Sequence, residues 1–88
     1  MKKNGLISKP VVLDTVSSWI YTGILEREDA EFYYLIDADA FGASEVNMTK
    51  HEYLTKVKKD GIVANRKRTV VSKGKVIAIT LLEDIIEK

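Results

Sequence analysis

Two stretches of alternating residues, Trp19 to Arg27 and Phe32 to Phe41, constrain this chain more than anything else in it. In the first, Trp19, Tyr21, Gly23 and Leu25 share one face and Ile20, Thr22, Ile24 and Glu26 the other. In the second, Phe32, Tyr34, Ile36, Ala38 and Ala40 share a face, with Asp37 and Asp39 opposite. A period of two is the side-chain repeat of a strand. The polar run Glu28-Asp29-Ala30-Glu31 between them makes the pair a hairpin. Val11 to Val16 is short, β-branched and preceded by a lead containing Gly5 and Pro10, and it reads as a further strand. Thr69-Val70-Val71 and Val76 to Leu82 flank Ser72-Lys73-Gly74-Lys75, so a second hairpin is expected there, with Gly74 free to take positive φ.

One helix interrupts the strands. Thr49 and Glu52 have the spacing of a capping box, in which each side chain satisfies a backbone N–H that the first turn leaves unpaired. Met48 before the cap and Tyr53 within the helix fit the accompanying hydrophobic staple. Tyr53, Leu54 and Val57 form a narrow apolar stripe, and Glu52 with Lys56 is a favourable i, i+4 pair. Lys58 and Lys59 suit the negative end of the helix dipole, and Gly61 ends the segment. A helix of this length is marginal alone, so its stripe must dock on the sheet. The tail Leu81-Leu82-Glu83-Asp84-Ile85-Ile86 fits a helical turn, a strand end or an apolar arm towards another copy; closing the chain's own core is the favoured reading.

At 88 residues the chain accommodates one small domain, 1–88, with the helix as an insertion at about 49–60. So short a chain has a thin core, which association with other copies would enlarge. The absence of cysteine excludes disulfides, thiolate metal sites and cysteine nucleophiles. No apolar run reaches signal-peptide or membrane-span length, so no membrane partner and a cytoplasmic location are expected.

The alternating segments carry a resemblance. Gly23, Leu25 and Asp29 have the spacing of the first motif of Sm-like proteins, with Tyr34 and Ile36 at its aliphatic positions and Asp37 at its acidic end. Val71, Val76 and Ile79 have the spacing of the second motif, but Ser72 and Lys73 stand where that family has Arg-Gly. Tyr33 replaces the turn Asn. The chain therefore resembles a divergent Sm-like protein over about 10–41 and 69–82, with another SH3-like small barrel as the competing fold. The fold implied is mainly β, a strongly bent barrel of five strands with one inserted helix. Sm-like proteins carry their own helix at the N-terminus, so the helix here is a departure. The resemblance implies a homo-oligomer formed through edge strands, and RNA as ligand. With both RNA-reading positions changed, the family's uridine pocket is not supported by these residues.

Little in the sequence suggests catalysis. Asp37-Ala38-Asp39 with Gly42 imitates a calcium loop, but Phe41 and Met48 stand where oxygen ligands are needed. His51 is the only imidazole, and one His without a thiol is poor material for a metal site or nucleophile–base pair. The expectation is a non-enzymatic module without cofactor or metal. Charge is more informative: residues 1–49 carry a net −4, residues 50–75 a net +7 and residues 76–88 a net −2. The near-neutral total of +1 thus conceals a dipolar chain. The candidate polyanion-binding residues are Arg66, Lys67, Arg68, Lys58 and Lys59, with Tyr33 as a stacking surface. Three readings stand: a nucleic-acid contact, a complement to acidic strands Glu26 to Asp39 of a neighbouring copy, or a solvated edge that blocks strand pairing. The alternative to RNA binding is accordingly a protein–protein interaction module whose two charged faces serve self-assembly only.

Overall fold

The computed structural model describes residues 5–87; Lys2 and Lys3, and both ends of the expected 1–88 domain, lie outside the described residues. The chain runs through strands β1 (Pro10–Thr15), β2 (Trp19–Glu28) and β3 (Phe32–Gly42), one helix, α1 (Lys50–Asp60), and strands β4 (Arg66–Ser72) and β5 (Val76–Leu81). The strands form one antiparallel sheet in the order β4-β3-β2-β1-β5.

The sheet is rolled, as its packing shows. Val71 of edge strand β4 shares a core with Val11, Leu13, Leu25, Leu35 and Ala38, and Val76, Ile79 and Leu81 of the opposite edge pack against the same cluster. Side chains from opposite edges meet only if the sheet curls. The curl is made at bulges between β2 and β3, where the register slips between Thr22 and Ile24 and again between Leu25 and Arg27. Gly23 sits at the first slip: a Cβ there would lie 3.0 Å from that of Ala38 and 3.2 Å from the Ile36 carbonyl oxygen. Asp37 faces it with φ of 48°, a left-handed conformation that Asp tolerates better than most residues.

That bulge corrects the expected faces of β3. Leu35 and Ala38, three apart, point into the same core. The extra residue at Asp37 shifts the alternation by one, so Phe32 and Tyr34 do not share a face with Ala38. The expected second hairpin is also overturned. Strand β4 pairs with β3 and β5 with β1, and no pairing joins β4 to β5. Ser72 to Lys75 is a 3-10 turn that carries the chain from one edge of the curled sheet to the other. Gly74 does not use positive φ; the Ser72 hydroxyl accepts its N–H at 3.2 Å instead.

Helix α1 forms as its sequence dictates. Thr49 Oγ1 accepts the Glu52 N–H at 3.1 Å, and Glu52 Oε1 accepts the Thr49 N–H at 2.8 Å. Gly61 closes the helix at φ of 91° while donating its N–H to the Val57 carbonyl. Because Glu52 is engaged in the cap, the helix ion pair is Lys56 with Asp60 at 3.6 Å rather than Glu52 with Lys56. Tyr53, Leu54 and Val57 are buried with Val12 and Ile20 on the face of the sheet away from the barrel interior. Strand β1 is therefore covered on both sides, and Val11, Val12 and Leu13 are all fully buried. The tail closes this second core: Leu82 and Ile85 pack against it, and the Lys58 ammonium donates to the Ile85 carbonyl.

Candidate nucleic-acid interface

The basic triplet lies inside a strand rather than before one. Arg66, Lys67 and Arg68 open β4, with Ala38 opposite Arg66 and Ile36 opposite Arg68. Asn65 fixes this start. Its Oδ1 accepts the Ala40 N–H at 2.9 Å, its Nδ2 donates to the Ala40 carbonyl at 3.1 Å, and its own N–H donates to the Ala38 carbonyl at 2.9 Å. One side-chain amide thus continues the β3 ladder by one rung. All three basic side chains are exposed. Arg66 donates to the Asn65 carbonyl, and no acidic side chain forms an ion pair with any of the three among the described residues. Unneutralised cations spaced along a strand suit a row of phosphates.

Of the helix lysines, Lys59 is exposed, whereas the Lys58 ammonium is committed to the tail. Tyr33 lies elsewhere. It pairs with Val71 near the far end of β4, five residues along β3 from Ala38, or roughly 16 Å by strand rise. The structure thus brings Arg66, Lys67 and Arg68 together and leaves Tyr33 apart from them.

At Tyr33 two turns meet. Phe32 pairs with Ser72, and the Lys73 N–H donates to the Glu31 carbonyl at 2.8 Å. The Lys73 ammonium lies 2.6 Å from Glu28 Oε1 and 4.9 Å from the centroid of the Tyr33 ring. Its hydrogen bond to Glu28 raises the lysine's pKa above the usual value. In the other turn, Asp29 Oδ1 accepts the N–H groups of Glu31 at 2.9 Å and Phe32 at 2.7 Å, and Oδ2 accepts the Tyr34 hydroxyl at 2.6 Å. That hydroxyl, followed by the two amides, holds the Asp29 carboxyl below the ordinary range. The Arg27 guanidinium covers the Tyr34 ring at 3.6 Å. Sequence reasoning missed Lys73 as Tyr33's partner. The signal was its place in the second motif, which has meaning only once the two turns are known to touch.

This fold has a counterpart among solved structures. A Pyrococcus abyssii Sm protein in complex with a uridine heptamer superimposes with a TM-score of 0.58 at 19% identity, over 86% of each chain. The fold is Sm-like. No family model matches the sequence, and no curated protein matches it. In the Sm-like frame Gly23 is the bend, Leu25 a core residue and Asp29 the residue that builds the turn. The positions that diverge, Tyr33 and Ser72, hold a tyrosine beneath a lysine and a serine that caps its own turn. Among the described residues no cluster of His, Asp and Glu is arranged to hold a metal ion, and no helix is long and apolar enough to cross a membrane.

Proposed function

We propose that this chain is a non-enzymatic, cytoplasmic module that assembles with copies of itself and binds RNA along strand β4. The observation that carries the proposal is the pair of outer edges. Within the Sm-like order, β4 and β5 each have a neighbour on one side only. Each exposes a large apolar residue, Val70 (54% exposed) on β4 and Ile77 (69% exposed) on β5. Unpaired strand edges with apolar side chains favour strand addition. Joining β4 of one copy to β5 of the next buries both, and head-to-tail joining closes into a ring when the rotation allows. The RNA contact then falls to Arg66, Lys67 and Arg68, with Lys59 adding charge, Lys58 adding field from its tethered position, and Tyr33 with Lys73 forming a separate stacking point. The likeness to a protein solved with a uridine heptamer supports a single-stranded RNA ligand.

The test is light scattering before and after nuclease, joined to polarisation of a labelled uridine oligomer across a salt series. A nuclease-resistant oligomer is expected. With three phosphate contacts, affinity should fall about 100-fold for a tenfold rise in salt. An oligomer that retains no RNA at low salt would leave self-assembly as the function of the charged faces, and a monomeric mass would remove the assembly reading.

A further inference from the structure

The space beside α1 is a groove of about 390 Å³, between the helix, the end of β3 and the segments flanking the helix. Its size falls in the range of small-ligand sites, roughly 300–1,000 Å³. Its walls are mostly apolar, from Phe41, Val46, Met48, Val57 and Val63, with the carboxylates of Asp39 and Asp60 also lining it. Phe41 and Tyr53 stack with centroids 4.0 Å apart and planes 5° from parallel. Tyr53 thus covers one face of Phe41, and only the opposite Phe41 face is left for a stacking ligand.

The polar groups are arranged in one direction. The Tyr53 hydroxyl donates to Asp39 Oδ2 and lies 3.0 Å from the Thr22 hydroxyl. Burial, reinforced by the Asp39 carboxylate, pushes the Tyr53 pKa well above the usual tyrosine value, so the hydroxyl remains a donor. Asp39 Oδ2 is thereby occupied, whereas Oδ1 has no partner among the described residues. A carboxylate oxygen with an open lone pair beside an aromatic wall calls for a flat ligand with an N–H donor on its edge. At the rim, Lys56 and Asp60, both more than half exposed, form the 3.6 Å ion pair of the helix.

We infer that this groove binds a nucleobase bearing an exocyclic amine, stacked on Phe41 and hydrogen-bonded through that amine to Asp39 Oδ1. Adenine and cytosine present such an amine. Uracil flanks its single N–H with two carbonyl oxygens, which face the carboxylate unfavourably. The inference rests on the RNA-binding reading and extends it, adding a base-discriminating site on the helix side to the basic strand.

The experiment is an NMR titration of the intact protein with AMP, CMP and UMP, following the signals of Phe41, Val57 and Val63. AMP and CMP should shift these signals with affinities at least about tenfold above that of UMP, the difference expected for one hydrogen bond to a charged acceptor. Asp39→Asn offers an amide in place of the carboxylate, so its N–H can face the ligand and the preference should turn towards UMP. Val63→Asp, at a side chain 77% exposed, should weaken all three without disturbing the fold. Equal shifts by the three nucleotides, or none in the groove, would overturn the inference. Arg66→Glu with Arg68→Glu separates the two readings: it should remove binding of the uridine oligomer and leave the AMP shifts intact. Groove shifts without oligomer binding would overturn the RNA reading alone, and oligomer binding without groove shifts the groove inference alone.

Discussion

The two edge strands differ in the property that matters for association. Strand β4 opens with Arg66, Lys67 and Arg68, whereas β5, Val76–Leu81, contains no charged residue. Their outer edges are alike in having a neighbour on one side only, and each strand exposes an apolar residue, Val70 or Ile77. Two β4 edges brought together would oppose like charges, which is destabilising for directly opposed pairs. A β4 edge against a β5 edge meets no such penalty. Glu83 and Asp84, which follow β5, favour the same choice. In the proposed assembly, charge on one edge and its absence on the other would favour head-to-tail pairing and leave the basic side chains beside the joint.

The largest expected effect comes from removing the charge that distinguishes β4. Arg66→Glu with Arg68→Glu should lower affinity for a uridine oligomer by at least about 100-fold at low salt, since two contacts become repulsions. Polarisation at fixed ionic strength measures this, and unchanged circular dichroism shows that the fold persists. An unaltered affinity would reduce the patch to a solvated edge. Giving β5 the charge it lacks is the converse test. Ile77→Lys should turn the oligomer into a monomer in light scattering, because a lysine then faces the basic strand across the joint. Persistence of the oligomer would place the joint elsewhere.

Two smaller effects sharpen the comparison within β4 itself. Val71→Ala, at a side chain 6% exposed in the barrel core, should cost about 1.5–3 kcal/mol in urea unfolding. Its neighbour Val70→Ala, on the outer side, should stay within about 0.5 kcal/mol in monomeric protein. Equal costs would mean that β4 does not alternate as described. The smallest effect is pH dependence at the turns beside Tyr33. The Lys73 pKa is raised in the folded protein, so its stabilisation is present below the ordinary lysine value and lost as pH rises through the folded value. The Asp29 pKa is lowered, so its stabilisation is present above the ordinary aspartate value and lost as pH falls through the folded value. Lys73→Met and Asp29→Asn should flatten the alkaline and acid limbs of the stability profile respectively.

Local signals were legible where the chemistry was local. The capping box of Thr49 and Glu52, the stop at Gly61 and the buried stripe of Tyr53, Leu54 and Val57 need only residues a few positions apart. The hairpin of β2 and β3 was legible for the same reason. The face of each β3 residue was not, because a bulge at Asp37 depends on Gly23 across the strand pair. The second hairpin failed because turn-like composition between two strands does not reveal whether those strands pair. The basic triplet was visible as charge. Its place within a strand depended on Asn65 bonding to Ala40, twenty-five residues away. Nothing in the alternation of β3 foretold that Tyr53 of the helix would meet Asp39.

By itself the sequence determined the strands' existence, the helix with both its ends, the dipolar charge and the motif spacing of an Sm-like sheet. The first three follow from periodicity, capping and composition, which act over a few residues, and the last is a resemblance to the family's motifs. Tertiary structure alone decided that the sheet curls until opposite edges share a core, that β4 and β5 are free edges rather than partners, and that Tyr33 is separated from the arginines. It also set the Asp39 carboxylate against the stacked rings. These are long-range contacts, and their register is set by how the bulged sheet closes, a geometry that no single segment encodes.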